Sequence, residues 1–302
     1  MIKINGIGTL SLIILGLILF IILGSTLGRK AWRYWKYKRL STPLPVGTVN
    51  FEKNIDYNNI IFLHHSTGRN LVKEGSVRKL LTEKGYQFYT HDYNSIGLTD
   101  PHGKKLNFCY DIPTDSTTTR GNGNTDPAGL YILFNQPFTT PPSNAFSRLL
   151  QHDVIIFKSC FPNSAIKSEK MLNQYKDWFR SIRDIMESHP DKIFIPLTFP
   201  PLHPLATNLA ESSRAREWAN WLTSNDFLQN TSNVFVFNLF DYLADPSTNM
   251  LRTEYQKNEN YRDSHPNEKA NKIVGPEFAK FIYQRIQEFK QKKIKASLAG
   301  VN

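Results

Sequence analysis

Three residues of this 302-residue chain have the types and spacing to make an activated nucleophile: Ser66, His265 and Asp263. A serine hydroxyl attacks a carbonyl poorly unless a histidine takes its proton and a carboxylate orients that histidine. Ser66 follows the apolar run Asn59–Leu63 in the segment His64-His65-Ser66-Thr67-Gly68. A strand-to-helix turn there would expose the hydroxyl and set backbone N–H groups beside it, with Gly68 permitting the tight turn. Asp263 and His265 stand two apart in Asp263-Ser264-His265-Pro266-Asn267, so both can face one cleft. Pro266 suits the first position of a closing helix, which would fix His265 at the mouth of that helix. The plainer use of the same residues is capping, by Ser66 at a first helix and by Asp263 or Ser264 at the last.

Those residues meet only if the intervening elements bring them together. Short apolar or alternating runs predict strands at 59–63, 86–92, 153–157, 192–198 and 233–238. Helical stretches fall between them, at 70–84, 168–188 and 207–224, and a closing helix runs from about 266 to 289. This alternation implies crossover units and a parallel sheet covered on both faces, a three-layer α/β/α sandwich of flavodoxin-like type. Ligands of such sheets bind beyond the carboxyl ends of the strands. Reading those ends gives His64 and His65, then His91-Asp92-Tyr93-Asn94 with Gly97 close by, then Lys158-Ser159-Cys160-Phe161-Pro162-Asn163-Ser164, then His203. Residues 95–143 interrupt the pattern with a stretch rich in Gly, Pro, Asn, Asp and Thr, and read as an inserted lid or binding loop.

Composition removes several function classes. With 40% hydrophobic and 13% aromatic residues, the chain can bury a core and is no low-complexity polymer. The net charge of +11 invites a nucleic-acid reading, but its distribution opposes one. Lys3 and six basic residues between Arg29 and Arg39 account for seven of the 37, leaving 30 basic against 26 acidic residues in the remainder. The basic residues at 290–295, in a tail, read as a solvated helix end. Neither a P-loop nor a G-x-G-x-x-G run occurs, so no nucleotide cofactor is implied. Two cysteines, Cys109 and Cys160, make neither a disulfide scaffold nor a four-thiolate zinc site. A metal centre drawing on His64, His65, His91, Asp92, His203, Asp263 and His265 is disfavoured, because adjacent strand residues point to opposite faces and no H-x-x-x-H pair exists.

Residues 7–27 form an apolar run without charge, long enough to cross a bilayer and longer than the apolar region of a cleaved signal peptide. Trp32, Tyr34, Trp35 and Tyr37 interleave with the basic residues after it, as a headgroup-level collar would. The expected organisation is an uncleaved anchor at 1–28, a collar and linker at 29–53, a catalytic domain at 54–290 and a tail at 291–302. Charge bias puts the domain on the cytoplasmic side of a single-pass membrane protein.

The order of elements, the serine after the first strand and the Asp263-Ser264-His265-Pro266-Asn267 segment resemble the SGNH/GDSL hydrolase superfamily over about residues 59–289. The resemblance implies Ser66 as nucleophile, His265 as base, Asp263 as orienting acid, and Asn163 and Gly97 as oxyanion donors. His65, Asn94, Ser159 and Cys160 would line the substrate site, and the helix carrying Arg214, Arg216, Trp218 and Trp221 would serve as scaffold and pocket wall. Two departures stand out. His64-His65-Ser66 replaces the usual Gly-Asp-Ser, and Asp263 lies two residues before His265, with Arg262 at the third. The implied activity is hydrolysis of an ester, an O-acyl group of a glycan or another cell-envelope ester. Acyl transfer on the same fold and an inactive, membrane-tethered glycan-binding module remain the alternatives. The partners expected are an ester-bearing substrate and membrane lipid through the N-terminal helix, with no nucleic acid. The resemblance implies an extracytoplasmic domain, against the charge bias.

Overall fold

The computed structural model describes residues 42–49, 51, 56–113 and 126–299. The chain divides into two compact units, Met1–Thr42 and Pro43–Asn302, and the described residues belong almost wholly to the second. The apolar run expected to be an anchor and its basic collar lie outside them. Among the described residues, no helix is long and apolar enough to cross a membrane.

Strand β1 (Asn59–Leu63) leads through helices α1 (Ser66–Glu74) and α2 (Val77–Thr82) to β2 (Gln87–His91) and the two-residue β3 (Leu98–Thr99). Helices α3 (Pro127–Phe134) and α4 (Ala145–Leu149) precede β4 (Val154–Lys158), and α5 (Glu169–Glu187) leads to β5 (Ile193–Leu197). Helices α6 (Leu209–Leu222), α7 (Asn225–Leu228), α8 (Leu239–Leu243) and α9 (Glu268–Ala299) complete the order. The sheet runs β3-β2-β1-β4-β5, parallel except for β3, so chain order reverses between β1 and β4.

Alternation along the strands divides the core in two. Ile61, Leu63, Ile155, Phe157 and Phe194 face α3, α5 and α6, where Leu133, Phe179 and Trp218 pack. Ile60, Phe62, Val154, Ile156 and Ile195 face α1, α2 and α9, meeting Leu71, Leu81, Phe278 and Ile282. Both faces are therefore covered, which is why these strands read as unbroken apolar runs. The result is an α/β sandwich with a mostly parallel five-stranded sheet.

Several elements depart from expectation for identifiable reasons. Residues 233–237 do run beside β5, with bonds from Phe194 N–H to the Asn233 carbonyl (2.9 Å) and from Phe237 N–H to the Pro196 carbonyl (3.1 Å). Pro196 has no N–H to return toward Phe235, so only two isolated parallel bridges form in place of a strand. The helix expected at 70–84 is broken because Gly75 crosses Gly275 of α9 backbone to backbone, and a Cβ on either would overlap main-chain atoms. Ser76 then adopts a left-handed turn (φ 56°) before α2 begins. Residues 44–47, expected in a linker, dock instead, through Leu44 N–H to Asn94 O (3.1 Å) and Cys109 N–H to Pro45 O (2.9 Å).

Much of the expected insertion is core and not lid. Tyr110, Leu130, Leu133 and Phe134 are all buried, the last three in α3 (PAGLYILF), which is apolar on every side. Residues 114–125 lie outside the described region. Helix α9 carries the basic residues at 290–295 within its length, as a helix end.

Candidate active site

The reversal of chain order between β1 and β4 sets two loops side by side at the carboxyl edge of the sheet. Ser66 stands at the first position of α1. Its neighbour His65 is the N-cap, in extended conformation, with no side-chain capping bond. The Ser66 hydroxyl is therefore not consumed as a cap. It lies 2.7 Å from Nε2 of His265, across 199 residues of chain. His265 Nδ1 contacts the Oδ1 of Asp263, and the same oxygen accepts the backbone N–H of His265 at 3.0 Å. Ser66, His265 and Asp263 thus form one continuous hydrogen-bonded line.

The protonation states suit that line. Burial would raise the Asp263 carboxyl pKa, but the two bonds from His265 and the nearby charge of Lys257, 4.0 Å from Oδ2, hold it below its ordinary value. Asp263 is thereby kept ionised where it orients the imidazole. The Nδ1–H donated to it leaves Nε2 as acceptor for the serine proton.

The loop carrying His265 is pinned on both sides. The Ser264 hydroxyl, fully buried, accepts the backbone N–H of His203 at 2.9 Å. Asn267 caps α9 through Ala270 N–H (3.0 Å), while its amide donates to the carbonyls of Glu254 (3.0 Å) and Gln256 (2.9 Å). The cap is thus Asn267, neither Asp263 nor Ser264, and Pro266 precedes the helix instead of starting it. Gly68 also serves differently from expectation. A Cβ there would overlap the His64 side chain, so the glycine lets α1 pack close against the end of β1.

Other candidates fall into place unevenly. Gly97 donates its N–H to the Tyr93 carbonyl (2.8 Å), which engages it in a turn and leaves it no hydrogen for an oxyanion. The Asn163 amide, in a short turn after β4, donates to the Cys160 carbonyl at 3.3 Å. Asn94 clamps both polar atoms of the Ile112 backbone at 3.0 Å and is a structural residue. Cys160 lies beside the serine loop, its Sγ 3.7 Å from Thr67 Oγ1. The Ser159 hydroxyl is buried without a hydrogen-bond partner among the described residues. Trp218 and Trp221 belong to the core rather than to a pocket wall. Arg214 bonds the Ile166 and Lys167 carbonyls, and Arg216 bonds Asn249.

Sequence reasoning assigned no role to Tyr93, Phe161 or Arg69. The Tyr93 side chain neighbours Ser66, and burial pushes its hydroxyl pKa up to about 12, so it stays protonated. The His65 ring, a candidate substrate contact, stacks on Tyr93 at 3.9 Å between centroids. Phe161 meets the His265 ring edge-on at 4.8 Å. Arg69 binds Asp92 at 2.5 Å, with His64 on the same carboxylate at 4.0 Å. Strand register places these side chains, and no local spacing could have announced them.

No three His, Cys, Asp or Glu side chains among the described residues group to hold a metal ion. His91, one of the candidate ligands, has both ring nitrogens in use. Its Nε2 accepts from Tyr110 N–H (2.9 Å) and its Nδ1 donates to the Asp92 carbonyl (2.6 Å).

No family model matches the chain, and no curated protein does. Among solved structures it is similar to a Streptococcus pneumonia protein provisionally named a platelet activating factor. The identity is 13% and the TM-score 0.46, over 89% of this chain and 99% of the other. A likeness that low carries neither fold nor activity across.

Proposed function

We propose that this chain is a serine ester hydrolase of the SGNH type, in which Ser66 is the nucleophile and His265 the base. The observation that supports this most directly is the Ser66 Oγ to His265 Nε2 distance of 2.7 Å with Asp263 behind the imidazole. Attack by Oγ on an ester carbonyl passes the serine proton to Nε2. The imidazolium formed is stabilised by Asp263 and then protonates the departing alkoxide. Water, deprotonated by the same nitrogen, releases the acid from the acyl-serine.

The first turn of α1 leaves backbone N–H groups without intrahelical acceptors beside Ser66, where negative charge develops on the carbonyl oxygen. The Tyr93 hydroxyl, protonated beside Ser66, supplies a further donor in this reading. His65, Tyr93 and Phe161 form an aromatic border suited to a small acyl group. O-acyl esters of a glycan, reached from a membrane anchor formed by residues 7–27, are the substrate class this reading favours.

The test is labelling of the full chain, in non-ionic detergent, with a fluorophosphonate probe. Wild type should label, while Ser66→Ala and His265→Ala should lose labelling and ester turnover by roughly 10³-fold or more. A folded wild type that stays unlabelled refutes serine catalysis.

A further inference from the structure

A groove of about 860 Å³ lies against the serine-bearing helix, between α1–α2 on one side and the β2–β3 hairpin on the other. It does not contain Ser66. It begins at Arg69, one helical turn away, and continues past Lys73, Arg78 and Lys79 on the helical wall to Lys105 on the hairpin. Five cationic side chains line it, against two carboxylates, Asp92 and Glu83.

The charges are unevenly compensated. Asp92 is engaged by Arg69 and Glu83 lies 3.8 Å from Lys79. Arg78 is fixed to the structure, donating to the carbonyls of Phe88 and Asp100 and to the Thr90 hydroxyl. The charge of the Asp100 carboxylate acts on it, and that carboxylate accepts the N–H groups of His102 and Lys104 within its own loop. Lys73 and Lys105 have no carboxylate partner among the described residues, and face the groove from opposite walls. At the end nearest the serine, Arg69 uses only Nε on Asp92 among the described contacts, in a side chain 44% exposed.

We propose that this groove binds the anionic chain of the substrate, a linear polymer bearing phosphate or carboxylate groups, and leads its ester-bearing unit to Ser66. Unpaired lysines act as point charges that attract successive anions without fixing their geometry, and this suits a repetitive chain. The partly exposed Arg69 offers the anion nearest the reacting ester a planar fork of donors. That the bound chain is a substrate rests on the ester-hydrolase reading; that it binds here does not.

The two are separated by measuring binding on the full chain carrying Ser66→Ala, in non-ionic detergent. The probes are short-chain polyphosphate, an oligogalacturonate and a neutral malto-oligosaccharide. At least one anionic probe should bind, weaken steeply with added salt, and lose about tenfold or more in affinity with Lys73→Glu/Lys105→Glu. A control pair on α9, Lys269→Glu/Lys280→Glu, should leave affinity near its starting value. Which anion binds tells phosphate from carboxylate. Tryptophan fluorescence should show Lys73→Glu/Lys105→Glu folded like its parent, and fluorophosphonate labelling of the wild type reports the serine separately. Absence of anion binding, equal binding of the neutral sugar, or equal losses in the two lysine pairs overturns the proposal, whatever the labelling result.

Discussion

Acid should unfold this protein through buried histidines well before its carboxylates titrate. His64 and His91 lie beneath the serine loop, and desolvation pushes the pKa of each from 6.5 down to about 4. The nearby carboxylate of Asp92 only partly opposes that shift. Both therefore stay neutral in the folded state while the unfolded chain takes up a proton at each as pH falls through 6.5. Their contribution to stability is complete above that pH and shrinks down to the folded value near 4. Each such site removes about 1.4 kcal/mol per pH unit, so about 3 kcal/mol apiece across the window. The pair approaches the whole stability of an ordinary domain, roughly 5–15 kcal/mol. His152, buried between Tyr110 and Asn59, is also held well below its ordinary value and adds in the same direction. Asp153, whose pKa burial raises, acts in the opposite sense at the acid end. Urea unfolding followed by tryptophan fluorescence, from about pH 7 to about pH 4.5, should show stability falling by roughly 3 kcal/mol per unit or more. His91→Gln, which can still donate and accept, should flatten that slope by about 1.4 kcal/mol per unit. A stability that stays level between those pH values would mean that these histidines are charged or hydrated in the fold, and would refute the reasoning.

Three further outcomes follow from single contacts. Gly275→Ala should destabilise by about 1–3 kcal/mol in the same urea assay, because its Cβ would overlap the Gly75 carbonyl and force α1 and α9 apart. Asn267→Ala should cost about 1–2 kcal/mol through the lost cap. It should also slow fluorophosphonate labelling, since the loop holding His265 loses its ties to Glu254 and Gln256. Tyr93→Phe should leave stability nearly unchanged and slow labelling by up to about tenfold, the effect of one hydrogen bond at the reacting oxygen.

What the sequence discloses follows from where the information is local. β1, β4 and β5 are buried on both faces, so their apolar runs announced them. Helices α5 and α6 declared their starts through Ser168 and Asn208, whose side chains accept from Met171 and Glu211 N–H. The break at Gly75 was hidden because its cause is Gly275, two hundred residues later in the chain. Helix α3 was hidden because it sits in a Gly- and Pro-rich neighbourhood that reads as loop. The failure of residues 233–237 to form a strand was legible in principle, since Pro196 stands in the run they pair with.

The candidate site divides along the same line, and this explains why its base is so firmly held. Ser66 and Cys160 follow β1 and β4 directly, so the sheet itself sets them next to each other. The loop of Asp263 and His265 belongs to no strand end and would wander without other ties. Its registration comes from Ser264, fully buried against the His203 backbone, and from Asn267, fastened to the turn at residues 254–256. A one-turn slip of α9 along its packing face would displace Nε2 from Ser66 by about 5 Å. The interlocked backbones of Gly75 and Gly275 oppose such a slip, because α1 carries Ser66 at its start and Gly75 at its end. The helix that presents the nucleophile is thus keyed directly to the helix that follows the base, and the 2.7 Å contact between them depends on that crossing as much as on the loop.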